Sequence, residues 1–322
     1  MKNFFLLTVF SFIFCCNGSA EITYELSGGR FGDSLMSYLH AKWISFVYDI
    51  PLAYRSFQYS DQLVLHSCEK HLGLSQPTKR VTLTKYNLAI DKNRDCLYVV
   101  PYFAEVLSEH KFPGACHWIY FPVNWNNELF YSQICSLIKP IDSNLLNFTL
   151  PLDKITVALH VRKGGGYDRP LLSDTQRPDH VYSYYSDYHS MLKFPPEFFF
   201  IEQLKRVSNY FDHKPIYAYV FTDDANPAAL VERFKKQLNE YPNIELDYRK
   251  EGNRHDSHVV EDFFALTKFD CLIRPQSNFS LVAAKIANYK LEIYPTECHW
   301  EERKPCIDKV EMLTERHFNM LK

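Results

Sequence analysis

The amino-acid sequence predicts an α/β protein of two domains, each on a doubly wound parallel sheet, with a cleft between them. Two observations predict it. Short apolar runs such as ITVALHV, IYAYVFT and CLI alternate with helical-period segments, the pattern of crossover helices on both faces of a parallel sheet. The 322 residues are roughly two domains' worth of chain, and a hydrophobic fraction of 46% can fill two cores. The alternation breaks over residues 122–153, where Asn, Pro and Ser are scattered. That segment reads as the crossing between domains 21–150 and 151–322.

Residues 1–20, MKNFFLLTVFSFIFCCNGSA, stand apart. Lys2 is their only charge, residues 4–16 form an apolar run, and Gly18, Ser19 and Ala20 end it with small side chains. This is the layout of a secretory signal, which points to the secretory pathway or an extracytoplasmic location. A helix of that length spans about 20 Å against a hydrocarbon core of roughly 30 Å, so a short membrane anchor is the alternative. Membrane contact is expected only if the segment is uncleaved. Cleavage leaves seven of the nine cysteines, enough in an oxidising compartment for up to three disulfides. Cys298 and Cys306 are near enough in sequence to clip one loop. No CxxC pair supports a zinc or thioredoxin site. Lys and Arg, 36 together, balance 38 Asp and Glu, which gives no electrostatic case for nucleic acid.

In the first domain, residues 22–26 read as a strand and 33–47 as a helix with Leu35, Leu39, Trp43 and Phe46 on one face. Between them lie Gly28, Gly29, Arg30 and Gly32, in a chain that owns only ten glycines. Such a turn either needs positive φ or brings backbone close to a phosphate or sugar at a helix N-terminus. Further strands are expected at 51–54, 97–101 and 117–121.

In the second domain, strands are expected at 155–161, 216–222, 244–248, 271–274 and 291–294. The intervening helices fall at 195–211, after Asn226 as N-cap with Pro227 at the first position, at 258–268 and at 280–289. Ligands of doubly wound sheets sit at the carboxyl ends of the strands. After the first strand, with His160 inside its end, come Arg162, Lys163 and Gly164 to Gly166, forked donors with close backbone approach that suit a diphosphate, or an exposed basic loop. Asp223 and Asp224 follow the second strand and could accept from a ribose or base, or cap a helix. A metal role for this pair lacks ligand spacing with His255 or His258, and no metal site is assigned. Ser277, Asn278 and Ser280 open the last helix, where hydroxyls and amides suit an anion or serve as caps. Asn147-Phe-Thr and Asn278-Phe-Ser are glycosylation sequons, the second at a place expected to be cleft or core.

Four stretches in order carry a resemblance: GGRFGDSLMSY, HVRKGG, VFTDDANPAALVERF and EDFFALTKFDCLIRPQSNFSLVAAKI. They resemble the GDP-fucose-dependent fucosyltransferases: the α1,2- and α1,6-enzymes, the protein O-fucosyltransferases and the rhizobial nodulation enzyme. The likeness covers residues 22 to about 290. It implies a GT-B type glycosyltransferase with two facing Rossmann-like domains, which moves fucose from GDP-fucose to a glycan or glycoconjugate hydroxyl with inversion at the anomeric centre. No cofactor or metal is implied.

Carried over by residue, the resemblance implies that Arg162 binds the donor diphosphate beside His160 and Gly164. Asp223 would contact guanine or ribose, and Ser277, Asn278 and Ser280 would help hold phosphate. Gly28, Gly29, Arg30 and Gly32 would shape the acceptor side. Three glycines after the arginine depart from the polar pair of many relatives. That departure supports one alternative, a catalytically silent glycan- or nucleotide-binding homologue; a second is a transferase using another nucleotide sugar, since a diphosphate site does not choose the sugar. Asp168 is the expected general base, with Asp174 on the same loop as its rival.

Overall fold

The computed structural model describes residues 20–26, 29–73, 79–83, 90–101, 123–164, 191–301 and 304–314. The signal-like segment, the strand expected at 117–121, Gly28, Asp168 and Asp174 lie outside the described residues.

The chain opens with β1 (Glu21–Tyr24), whose last three residues are buried, and passes into α1 (Phe31–Tyr48). This helix is buried on nearly all sides over its first three turns, then shows one apolar face with Ile44 inside and Trp43 and Phe46 packed at its edge. After a short α2 (Val64–Cys68) come β2 (Arg80–Thr82) and the wholly buried β3 (Leu97–Val100). They form a parallel sheet in the order β1-β3-β2, with Ile22 opposite Tyr98 and Val81 on the other side of the same residue. Residues 51–54, expected as a strand, contribute only isolated bridges through Leu52 and Tyr54. The expected crossing at 122–153 contains α3 (Glu128–Leu137), capped by the Asn127 side chain on Phe130 N–H.

The second sheet has six strands in the order β6-β5-β4-β7-β8-β9. Its first members, β4 (Ile155–Val161) and β5 (Ile216–Thr222), are parallel, with α4 (Glu197–Tyr210) between them in sequence. From β5 the chain runs through α5 (Pro227–Gln237), capped by Asn226 with Pro227 at its start, to β6 (Ile244–Tyr248) at the edge. It then crosses by α6 (Val259–Leu266) to the far side of β4, where β7 (Cys271–Ile273) pairs in parallel. After α7 (Asn278–Ile286), β8 (Leu291–Glu301) extends the sheet and turns back as β9 (Lys304–Thr314), the antiparallel edge strand. The hairpin exceeds the expected four-residue strand at 291–294, because Pro and charged residues hide an edge pair that needs no continuous apolar run.

One apolar cluster fills the six-stranded sheet's outer face under α4 and α5, with Phe200, Leu204, Phe234 and Ile273. The other runs from Ile22, Tyr24 and Leu35 of the first half into Phe263, Leu266 and Val282 of the second. Phe31 of α1 packs edge-on against Phe263, centroids 5.3 Å apart, which ties α1 to α6 and α7. Among the described residues, no disulfide joins any of the six cysteines. Cys298 cannot clip to Cys306, because Cys298 pairs with Ile307 and Cys306 with His299, placing the two sulfurs on opposite faces. Among the described residues no helix is long and apolar enough to cross a membrane.

Candidate functional site

Strand order fixes where a ligand can enter. From β4 the chain winds to β5 and β6 on one side, then reverses to β7 and β8 on the other. The crevice at the carboxyl ends of β4 and β7 is therefore the topological switch point, the place where open α/β sheets take ligands. Among the described residues, His160 and Arg162 stand at the end of β4 and Asp223 just past β5. Arg274 follows β7, and Ser277 is the N-cap of α7.

The two sides of the crevice are joined. His160 Nδ1 and Ser280 Oγ are hydrogen-bonded at 2.8 Å, and Ser280 is fully buried. Burial lowers the His160 pKa to about 4; Asp223 opposes the shift, while Arg274 and Arg30 add to it. The imidazole is thus neutral at pH 7, a hydrogen-bonding bridge and not a cation. Arg162 is buried, with its guanidinium 5.1 Å from the centre of the Phe194 ring. That stacking orients the planar fork.

Asp223 has a local task. Its Oδ1 accepts the backbone N–H groups of Lys163 at 2.6 Å and Gly164 at 3.2 Å, turning the chain after β4. Gly164 has φ +94°, in the region that glycine alone enters freely. Asp224 accepts Asn226 N–H, so the helix cap falls to Asn226. Lys163 is drawn aside to Glu197 at 2.6 Å, a carboxylate shared with Arg233. Hydrogen bonding from Arg233, ahead of that from Lys163, holds Glu197 down at about 2. Arg274 is neutralised in a buried pair with Glu292 at 2.8 Å and lies over Tyr294.

The glycine turn reaches the same place from the first half. Gly32 sits in the first turn of α1, and a Cβ there would lie 2.4 Å from Phe279 N of α7. Gly32 therefore serves the close approach of two helix N-termini, and it does so with ordinary φ. Two positive dipole ends meet at this junction. Asp33 was not singled out by its sequence context, yet it lies here, half-buried, its Oδ1 accepting from Asn278 Nδ2 at 2.5 Å. Burial raises its pKa, against the hydrogen bond from Asn278 and the nearby charges of Lys193 and Arg30. The only sequence signal was its place in the turn. Asn278, whose amide is committed to Asp33, is a poor glycosylation acceptor; Asn147 is exposed.

These features define an α/β protein with a cluster of polar side chains at the switch point of a doubly wound sheet. No family model matches the chain, and no curated protein matches it in sequence. Solved structures share parts of its architecture. POFUT1 in complex with GDP is 11% identical, with 84% of this chain and 94% of that one covered at a TM-score of 0.46. A mutant of Arabidopsis thaliana FUT1 in complex with GDP is 14% identical, with 89% and 72% covered at 0.49. NodZ alpha-1,6-fucosyltransferase soaked with GDP-fucose is 13% identical, with 92% and 99% covered at 0.37. At such identity and overlap, the function has to be argued from this chain's own residues.

Proposed function

We propose that the protein is a glycosyltransferase that takes GDP-fucose in the β4–β7 crevice and passes fucose to a glycan hydroxyl with inversion. The observation that carries this reading is the convergence of Arg162, the Gly164 turn and the N-terminus of α7 at the switch point, bridged by His160 and Ser280. A guanidinium, backbone amides and a helix end are what a departing nucleoside diphosphate needs as its charge develops. The motif resemblance supplies the choice of guanosine and fucose. Residues 21–150 and 151–322 are proposed as acceptor-side and donor-side domains.

In this mechanism Arg162 neutralises the diphosphate, and the loop braced by Asp223 presents its backbone. A base must take the acceptor proton as its oxygen attacks the anomeric carbon and GDP leaves. Asp168 is one candidate. Asp33 is the other, because a half-buried carboxylate beside both helix N-termini faces the donor from the acceptor half. No step requires a metal, so transfer is expected to survive EDTA.

Calorimetry with GDP, GDP-fucose, GDP-mannose and UDP-sugars, followed by transfer assays with the tightest donor, tests the reading. GDP and GDP-fucose should bind and UDP-sugars should not. GDP binding without transfer or donor hydrolysis would mark a silent binding protein, favoured by the three consecutive glycines after Lys163. A UDP preference would overturn the donor assignment.

A further inference from the structure

The β8–β9 hairpin carries a second cluster of chemistry. β8 pairs with β7 through Leu291 to Ile293, then runs on past the carboxyl end of β7 with β9 as its one strand partner among the described residues. In this extension His299 stands directly opposite Cys306, so both side chains share one face. Glu301 lies two residues further along β8, on that same face, and Asp308 falls at the register shift between the Cys298–Ile307 and Glu297–Lys309 pairs, where its carboxylate reaches His299.

The side chains already address one another. A ligand atom from each of His299, Glu301 and Cys306 lies within 4.8 Å of the other two. Cys306 Sγ is 3.7 Å from Glu301 Oε2, and His299 Nδ1 is 2.5 Å from Asp308 Oδ1. Zinc bonds of about 2.0–2.3 Å in a tetrahedron bring ligand atoms to roughly 3.5 Å, so closing the site takes about 1 Å of side-chain movement.

We propose that this hairpin face binds one divalent metal ion of the zinc class through His299, Glu301 and Cys306. Thiolate and imidazole select such an ion over calcium or magnesium, which take oxygen ligands throughout. Water completes the tetrahedron. Asp308 is the carboxylate that fixes a ligating imidazole ring. On binding, the Cys306 thiol releases its proton to solvent and the sulfur takes the metal. The ion clamps two strands that no third strand braces among the described residues, and it takes no part in the transfer step.

Cobalt(II) titration of the purified full chain under reducing conditions tests this. One ion should bind per chain, with the thiolate-to-cobalt absorption band and displacement by zinc. Cys306→Ser should remove the band, His299→Ala should weaken binding at least tenfold, and Asp308→Asn should weaken it by about 10- to 100-fold. Circular dichroism of each variant checks that it is folded. Absence of a thiolate band in the parent chain, or a band of equal strength in folded Cys306→Ser, would overturn the proposal.

Discussion

In the proposed mechanism, donor binding turns on Arg162. Among the described residues at the end of β4, its fork is the arrangement that can make two charge-assisted hydrogen bonds to a diphosphate, since Lys163 is held by Glu197. Arg162→Ala should weaken GDP binding by about 10²-fold, and Arg162→Lys should recover part of it, because a point charge cannot reproduce the fork. Calorimetry on the folded variants checks this, and unchanged affinity in the alanine variant would remove Arg162 from the donor site. The base is decided by a pair of substitutions, Asp168→Asn and Asp33→Asn. Loss of the base should leave GDP affinity in place and reduce transfer by about 10²-fold or more. The two candidates differ in pH behaviour. Burial holds the Asp33 pKa above its ordinary value, so transfer that uses it should fall as pH drops through that raised value. The same shift makes ionised Asp33 a cost to the fold at neutral pH, so Asp33→Asn should not destabilise the protein there.

At the scale of elements, Gly32 joins sequence and structure most directly. A methyl group on it would meet the backbone of Phe279 and Asn278, which cannot rotate away as a side chain could. Gly32→Ala should therefore force α1 and α7 apart and cost about 1–3 kcal/mol, read as a lower urea midpoint. A midpoint equal to the parent's would mean that the junction is not tightly packed. The sequence announced the glycine but not its partner, which lies some 245 residues away in the chain, as does Asn278 from Asp33. Local signals were legible where one element sufficed. β4 and β5 are largely apolar runs buried along most of their length, and Asn226-Pro227 caps its helix by local geometry. Signals were lost where partners decide the outcome. α3 was hidden by the polar residues around it, and its Phe130, Ile134 and Leu137 show a face only once the core beneath is known. β9 pairs on one side only, so nothing in its own pattern distinguishes it from a charged tail. At the site, the strand-end residues were legible because topology places them there, whereas the Asp223 brace, the Arg274–Glu292 pair and Asp33 depend on tertiary contacts.

At the scale of the molecule, two buried histidines make stability depend on pH. Burial lowers His40, inside α1, and His160, at the end of β4, from 6.5 to about 4. In the unfolded chain both would take up protons near 6.5, while in the folded protein they stay neutral until about 4. The unfolded state therefore binds more protons across that window, and stability rises with pH through it. The contribution is fully present above 6.5 and declines as pH falls towards 4, by at most on the order of 3 kcal/mol for each histidine. Asp33 and Asp262 act in the opposite sense, because burial raises both and protonation then favours the fold. Glu197 stays ionised in this window and weakens the fold only as pH falls below 4.5 towards about 2. Urea unfolding at a series of pH values should thus show the midpoint dropping between pH 6.5 and 4. His160→Gln keeps a hydrogen-bonding side chain beside Ser280 and removes the titration, so it should shallow the slope by about one proton. A slope unchanged in His160→Gln would show that the His160–Ser280 bridge is not buried in solution.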